Sequence, residues 1–574
     1  MDLLPTLYTE TTECRDCYKC LRQCAVKAIH IRDGHANIAS DLCVGCGHCV
    51  EICPVGAKKV RDDIGRVRLL LKMKKKVIVS LAPSYVTEFK GIPKETLVGA
   101  LKQLGFYGVS ETALGAQEVS AAVSGMMDDT AKRVHISSAC PTVVEIVKKY
   151  YPQYAGLVTD LLSPVLAHTK LLRQQYGDDI AIVFIGPCIS KKLEADSHRD
   201  LLDVALSFEE FRRWLQEEGI DLAVNCENSN NSFIPYDAEE GAIYPVDGGM
   251  IAGIKANCEV NDNHFMAFSG MDNIRRILDD ITDINADKPV FIELLACEGG
   301  CVNGPMSASR TGTIVKRIDV LNSAHYPDNN KARIPSVDVT TTWDIEKIVQ
   351  TVYSEDELSG ALEKVGKFTR EDEMNCGGCG YDSCREFAHA LLDDTAEPNM
   401  CMGYMRKLAM KKANALIQTM PSGVVIVNKK LRIVESNKRF AQIMGSDTEL
   451  VYEARPGLEH ADLKKIAPFY NYFKSVIDDG AETVDLDIRY KDSILHLSVF
   501  SIEAHQLVGG ILQDITVPAV QKERIVNKAK DVIQKNLETV QKIAYLLGEN
   551  AADSEVILNS IIDSFPTETL DGAK

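Results

Sequence analysis

Cysteine spacing constrains this chain more than any other feature. The run Cys14-x2-Cys17-x2-Cys20-x3-Cys24 recurs as Cys43-x2-Cys46-x2-Cys49-x3-Cys53-Pro54. Thiolates on such short arcs converge on a soft metal, and at this spacing the fourth cysteine of each run crosses to the other cluster. Cys14, Cys17, Cys20 and Cys53 are therefore assigned to one [4Fe-4S] cluster, and Cys43, Cys46, Cys49 and Cys24 to a second. Ala25 stands where the first run's proline belongs, which changes loop stiffness and removes no ligand. Zinc is the alternative for clustered cysteines, and eight at this spacing argue against it.

Three more loops carry cysteines. Cys297-Glu298-Gly299-Gly300-Cys301 follows an apolar run ending at Ala296, a buried strand or the last turn before a loop. Two thiolates cannot hold a cubane, which takes four. Ser137-Ser138-Ala139-Cys140-Pro141 and Gly186-Pro187-Cys188-Ile189-Ser190-Lys191 supply the missing pair. Farther on, Cys376, Cys379, Cys384 and Cys401 surround Gly377, Gly378 and Gly380, a donor set for a third [4Fe-4S] cluster or for zinc. Of the eighteen cysteines only Cys226 and Cys258 stand outside these sets, and buried structural thiols are expected there.

At 574 residues the chain has room for three to five domains. A formal charge of -18 argues against a nucleic-acid partner, which needs a basic footprint. The one basic run, Lys72 to Lys76, reads as a solvated lead-in to the next strand, or else as a docking patch for an acidic electron carrier. No long apolar span occurs, and Met1 to Glu13 lacks the regions of a signal peptide, so no membrane contact and a cytoplasmic location are expected. In that reducing compartment cysteines serve as metal ligands rather than disulfides.

From 72 to 350, apolar runs at 77–81, 134–137 and 180–185 alternate with helical stretches at 94–104, 143–150 and 161–175, the pattern of α/β layers whose loops at strand ends bind ligands. Gly248 and Gly249 lack the spaced glycines and lysine of a phosphate loop, and are expected to let backbone pack near a cofactor. Beyond 406 the cysteines stop. A helix from Ala413, strands near 420–428, 433–437, 482–490, 494–501 and 506–514, and a helix at 439–444 describe an α+β domain. His496 and His505 are read as ordinary strand histidines, with haem ligation as the alternative. Past Thr516, Val526, Ile533, Val540 and Leu547 recur by sevens, which predicts a short coiled coil or a helix docked on its own domain, and 555–565 adds a second helix. With no histidine after His505, this tail is not a phosphoacceptor helix.

The N-terminal runs resemble two-cluster bacterial ferredoxins, and the loops of Cys140, Cys188 and Cys297 to Cys301 resemble, in order, those of the [FeFe]-hydrogenases. The resemblance implies an H-cluster, a [4Fe-4S] cubane joined through one cysteine to a two-iron centre bearing CO and cyanide. Carried over by motif, Cys140, Cys188, Cys297 and Cys301 look like the cubane ligands, with Cys301 as the bridge. Lys191 looks like the lysine that hydrogen-bonds one cyanide, and Ala82-Pro83 resembles the segment beside the other. This chain departs from the pattern at Ala139, where the family usually has a proton-relay cysteine, and at Gly186 and Leu295, which replace flanking methionines. Glu118 lies too early for the usual acidic relay, residues 119–125 hold no carboxylate, and Ser163-Pro164 keeps one serine of that path. General acid-base catalysis contributes about 10²–10⁴-fold, so slow turnover is expected. The alternative is that the four cysteines hold a cubane alone. Residues 375–402 resemble a small four-cysteine [4Fe-4S] domain, and 413–516 resemble a PAS domain, expected to be empty or to hold a small ligand.

Together these readings predict a multidomain α/β chain: a two-cluster ferredoxin-like module at 1–62, an H-cluster domain at 72–350, a four-cysteine domain at 351–405, an α+β PAS domain at 406–517 and signalling or docking helices at 518–574. The expected function is an H2 and redox sensor of low hydrogenase activity. The alternatives are a slow hydrogenase feeding a ferredoxin or redox subunit, and an iron-sulfur sensor without the two-iron centre. Expected partners are H2, a redox protein and an unidentified signalling protein such as a phosphatase or kinase, with homodimerisation through the PAS domain and terminal helix.

Overall fold

The computed structural model describes residues 4–535 except 128–133, 224–230, 257–264, 285–287, 325–332, 350, 481–482 and 518–524. Cys226, Cys258, the seam positions Val540 and Leu547 and the second terminal helix lie outside the described residues. The chain divides into two compact units, Met1–Met405 and Arg406–Lys574.

In the first unit the strands Val77–Leu81 and Ala181–Gly186 are buried at every position, as parallel strands covered on both faces must be. With Gly108–Glu111 and Val204–Ser207 outside them, they form a four-stranded parallel sheet. A second parallel sheet orders Phe265–Ser269, Val290–Leu295 and Val134–Ile136. Parallel strands release their loops at one edge, where ligands bind. Ala82-Pro83, Cys140, Cys188 and Cys297 all follow the carboxyl ends of such strands. Residues near 340 strap this domain, with Leu162 N donating to Val339 O and the Trp343 indole to Thr159 O.

Residues before 62 form two antiparallel pairs, Leu7–Thr9 with Lys58–Val60 and Ile29–Arg32 with His35–Ile38, and two short helices, Lys19–Arg22 and His48–Ile52. The four-cysteine segment adds helices Glu355–Glu363, opened by a Ser354–Glu357 capping box, and Cys384–Leu392. It shares one core with the N-terminal module, in which Leu21, Ile29 and Ile31 pack with Leu362, Phe387 and Met400. Ile31 N donates to Thr395 O at 2.9 Å and Lys27 Nζ to Gly380 O at 2.8 Å.

The second unit is a five-stranded antiparallel sheet in the order Ile433–Ser436, Gly423–Asn428, Leu507–Asp514, Ser493–Glu503, Thr483–Tyr490. Helices Lys438–Met444 and Tyr470–Asp479 contribute Phe440 and Phe473 to a core with Leu497 and Val499. Asn437 shapes the entry turn, its Oδ1 accepting from Val424 N and Phe440 N. His496 pairs with Asp487 and His505 with Ile477 O. The helix expected from Ala413 begins at Met402, directly after the last clustered cysteine. Nothing between those positions breaks a helix, since Gly403 falls within the first turn.

Candidate iron-sulfur and hydrogenase site

Two parallel sheets send their loops to one cavity of about 100 Å³. Cys140, Cys188, Cys297 and Cys301 line it together with Ala82, Pro83, Ala139 and Lys191. Local sequence explains each placement. Cys140 caps the helix Pro141–Tyr150, whose Pro141 suits the first helical position. Cys188 follows a fully buried strand and precedes the helix Ser190–Ser197. Gly300, at φ +100°, turns the chain so that Cys301 faces back.

Burial pushes the Cys188 thiol up to about 11, with Cys140 adding to the rise, and pushes Cys301 upward with Cys140 and Cys188 adding. Cys297 is raised strongly by burial, then by Cys301, Cys188 and Cys140. Cys188, Cys297 and Cys301, whose ionisation is opposed by desolvation and by neighbouring thiolates, lose their protons together only around a cationic centre, which iron supplies. The donor set thus fits a cubane. Lys191, 8% exposed, donates to Ser163 Oγ at 2.9 Å and Glu194 Oε2 at 2.7 Å and brings the cavity its one lysine. The methyl of Ala139 lines the same wall. Glu118 is turned elsewhere and accepts from Ser336.

The second N-terminal cysteine loop abuts this cavity. Cys46 lines it, and among the charges acting on Cys297 is that of Cys46. The helix beginning at Pro141 holds that loop in place, with Lys149 Nζ donating to Cys43 O at 3.0 Å and Tyr150 OH to Leu42 O at 2.7 Å. Burial, with opposition from its neighbours' charges, lifts Cys46 to about 12.

Several polar residues near the cavity escaped the reading of the sequence. Thr112 and Tyr244 line it. Ser80 Oγ bonds Thr112 Oγ1 and His168 Nδ1, and His168 Nε2 bonds Ser110 Oγ, so an imidazole held neutral by burial, at about 3, ties two strands to a helix. Burial raises Glu293 to about 8, and its Oε2 accepts from Ile251 N. The one available signal was a carboxylate inside the apolar strand Val290–Leu295. Gly248-Gly249 opens the helix Gly249–Lys255 that Glu293 meets.

Comparison with known proteins decides what these loops are. Residues 75–305 match the iron only hydrogenase large subunit, C-terminal domain. The chain carries an [FeFe]-hydrogenase domain. Residues 13–57, ahead of the hydrogenase domain, match a 4Fe-4S dicluster domain, and residues 372–402 an Fe-S cluster domain. The HndD subunit of the NADP-reducing hydrogenase of Solidesulfovibrio fructosivorans is 24% identical over 403 residues, covering 56% of this chain and 68% of that one. Iron hydrogenase 1 of Clostridium pasteurianum is 24% identical over 307 residues, covering 44% of this chain and 53% of that one. The chain thus spans about half to two thirds of these relatives. A solved [FeFe]-hydrogenase of Chlamydomonas reinhardtii aligns with a TM-score of 0.35 at 19% identity, over 48% of this chain and 91% of that one. Among the described residues no helix is long and apolar enough to cross a membrane.

Proposed function

We propose that this chain is an H2 and redox sensor built on a hydrogenase domain of low turnover, located in the cytoplasm. The observation that carries the reading is a complete set of four cysteines and Lys191 around one cavity whose relay position is Ala139. Cys140, Cys188, Cys297 and Cys301 would hold the cubane, with Cys301 as the residue that would also join the two-iron centre, and Lys191 and the Ala82-Pro83 segment would lie against that centre. When bound, the two-iron centre supplies the chemistry that interconverts H2 with two protons and two electrons. Lys191 positions that group through its ammonium, and the apolar wall of Ala82, Pro83 and Leu295 keeps water out. An alanine methyl passes no proton, which is the basis for slow turnover.

Three further ligand sets would hold [4Fe-4S] clusters: Cys43, Cys46, Cys49 and Cys24, of which Cys46 lines the cavity; Cys14, Cys17, Cys20 and Cys53; and Cys376, Cys379, Cys384 and Cys401, a set that shares a core with cysteines of both N-terminal sets. An electron path needs that adjacency. The sheet order of the second unit, with its Asn437 turn, supports a PAS domain that passes a conformational signal through the terminal helices to a signalling partner such as a phosphatase or kinase. A second reading, a slow hydrogenase serving a redox subunit or ferredoxin, is favoured by the likeness to a subunit of an NADP-reducing hydrogenase.

The test is infrared spectroscopy of anaerobically matured protein under argon and then H2. Sharp CO and cyanide bands that shift under H2 at low turnover are expected. Matured protein without such bands would replace the hydrogenase reading with an iron-sulfur redox sensor lacking the two-iron centre.

A further inference from the structure

Lys58 begins the strand Lys58–Val60 and is only 3% exposed. Its Nζ donates to Thr9 Oγ1 at 2.7 Å and to Ala36 O at 2.5 Å, both neutral acceptors. Among the described residues no carboxylate lies within ion-pairing distance of that ammonium. Its neighbour Lys59 is the contrast, a half-buried lysine paired with Glu13 at 2.9 Å. A buried charge without a counter-charge is costly, so something negative must face Lys58 when the protein is complete.

Both cysteine sets lie close to that ammonium: Ala36, whose carbonyl holds it, packs in one core with Cys20, and Cys14, Cys24 and Cys49 pack against that core. Cys20 belongs to one proposed cluster and Cys49 to the other. A cubane held by four thiolates bears net negative charge and gains more on reduction, which a nearby fixed cation in a low-dielectric interior stabilises.

We propose that Lys58 is the shared counter-charge of the two [4Fe-4S] clusters of the N-terminal module, raising both reduction potentials together so that they remain a matched pair. Lys58 is a positioning and tuning residue; it ligates nothing. The inference rests on the dicluster reading of residues 13–57 and is independent of the two-iron centre, so absent CO and cyanide bands would leave it standing.

The test is a redox titration of the full cluster-loaded chain followed by electron paramagnetic resonance. In Lys58→Gln, which keeps a hydrogen-bond donor and loses the charge, both N-terminal cluster signals are expected to titrate at more negative potential, while the signal of the Cys376 set stays in place. Lys59→Gln should leave every signal where it was, and Lys58→Arg should titrate as the wild type. Unchanged N-terminal potentials in iron-replete Lys58→Gln would overturn the proposal. If Lys58→Gln loses iron, Lys58→Arg decides: wild-type potentials support the role of charge, and lowered potentials overturn it.

Discussion

The proposed slow turnover rests on one methyl, that of Ala139. Its backbone N donates to Ser137 Oγ and the residue lines the cavity, so the chain path there is already set. Ala139→Cys is expected to raise H2 turnover by about 10²-fold, the lower end of what a positioned acid-base group contributes. Hydrogen uptake measured beside the wild type checks this, and an unchanged rate would show that proton delivery at this position does not limit. Residue chemistry was legible where spacing carries it, as with the sixteen clustered cysteines. It was hidden where partners are remote in sequence: His168 meets Ser80 and Ser110 only because a helix packs across two strands.

Elements carry the ligands to their places. The helix Pro141–Tyr150 works at both ends, capped by Cys140 at its start and clamping the Leu42–Cys43 backbone through Tyr150 and Lys149 at its end. Periodicity found this helix and the strands around it; the clamp needed the fold. The loop after Val290–Leu295 depends on Gly300, where an added Cβ would lie 2.4 Å from Pro245 O and where φ is +100°. Such contact with backbone cannot be relieved by a rotamer change, and L side chains avoid that conformation. Gly300→Ala is therefore expected to displace Cys301 and to cut the iron bound at the cavity by more than half, with the other cluster signals retained. Iron analysis together with the magnetic resonance signals of the remaining clusters checks it.

Across the first unit, the four-cysteine segment is fastened to the N-terminal module although more than three hundred residues separate them in the chain, as Lys27 with Gly380 shows. Gly380 permits the closest approach: φ is +101°, and a Cβ would sit 2.8 Å from Leu21 Cγ. Gly380→Ala should weaken this junction by about 1–3 kcal/mol, the usual cost of overpacking. Limited proteolysis of the oxidised chain is the check: cleavage between the hydrogenase domain and Cys376 should speed up in the variant while the hydrogenase domain itself stays resistant.

The sequence by itself determined the cysteine runs and their spacing, because spacing is a local property, and where many of the strands and helices run, because burial on one or two faces leaves a periodic imprint. Only the tertiary structure decided that four loops from two separate sheets share one cavity, that Cys46 stands beside it, that the last cysteine set packs on the first, and that Lys58 is buried with no carboxylate in reach among the described residues. Each of these depends on contacts between residues far apart in the chain, and such contacts leave no period for a sequence to display.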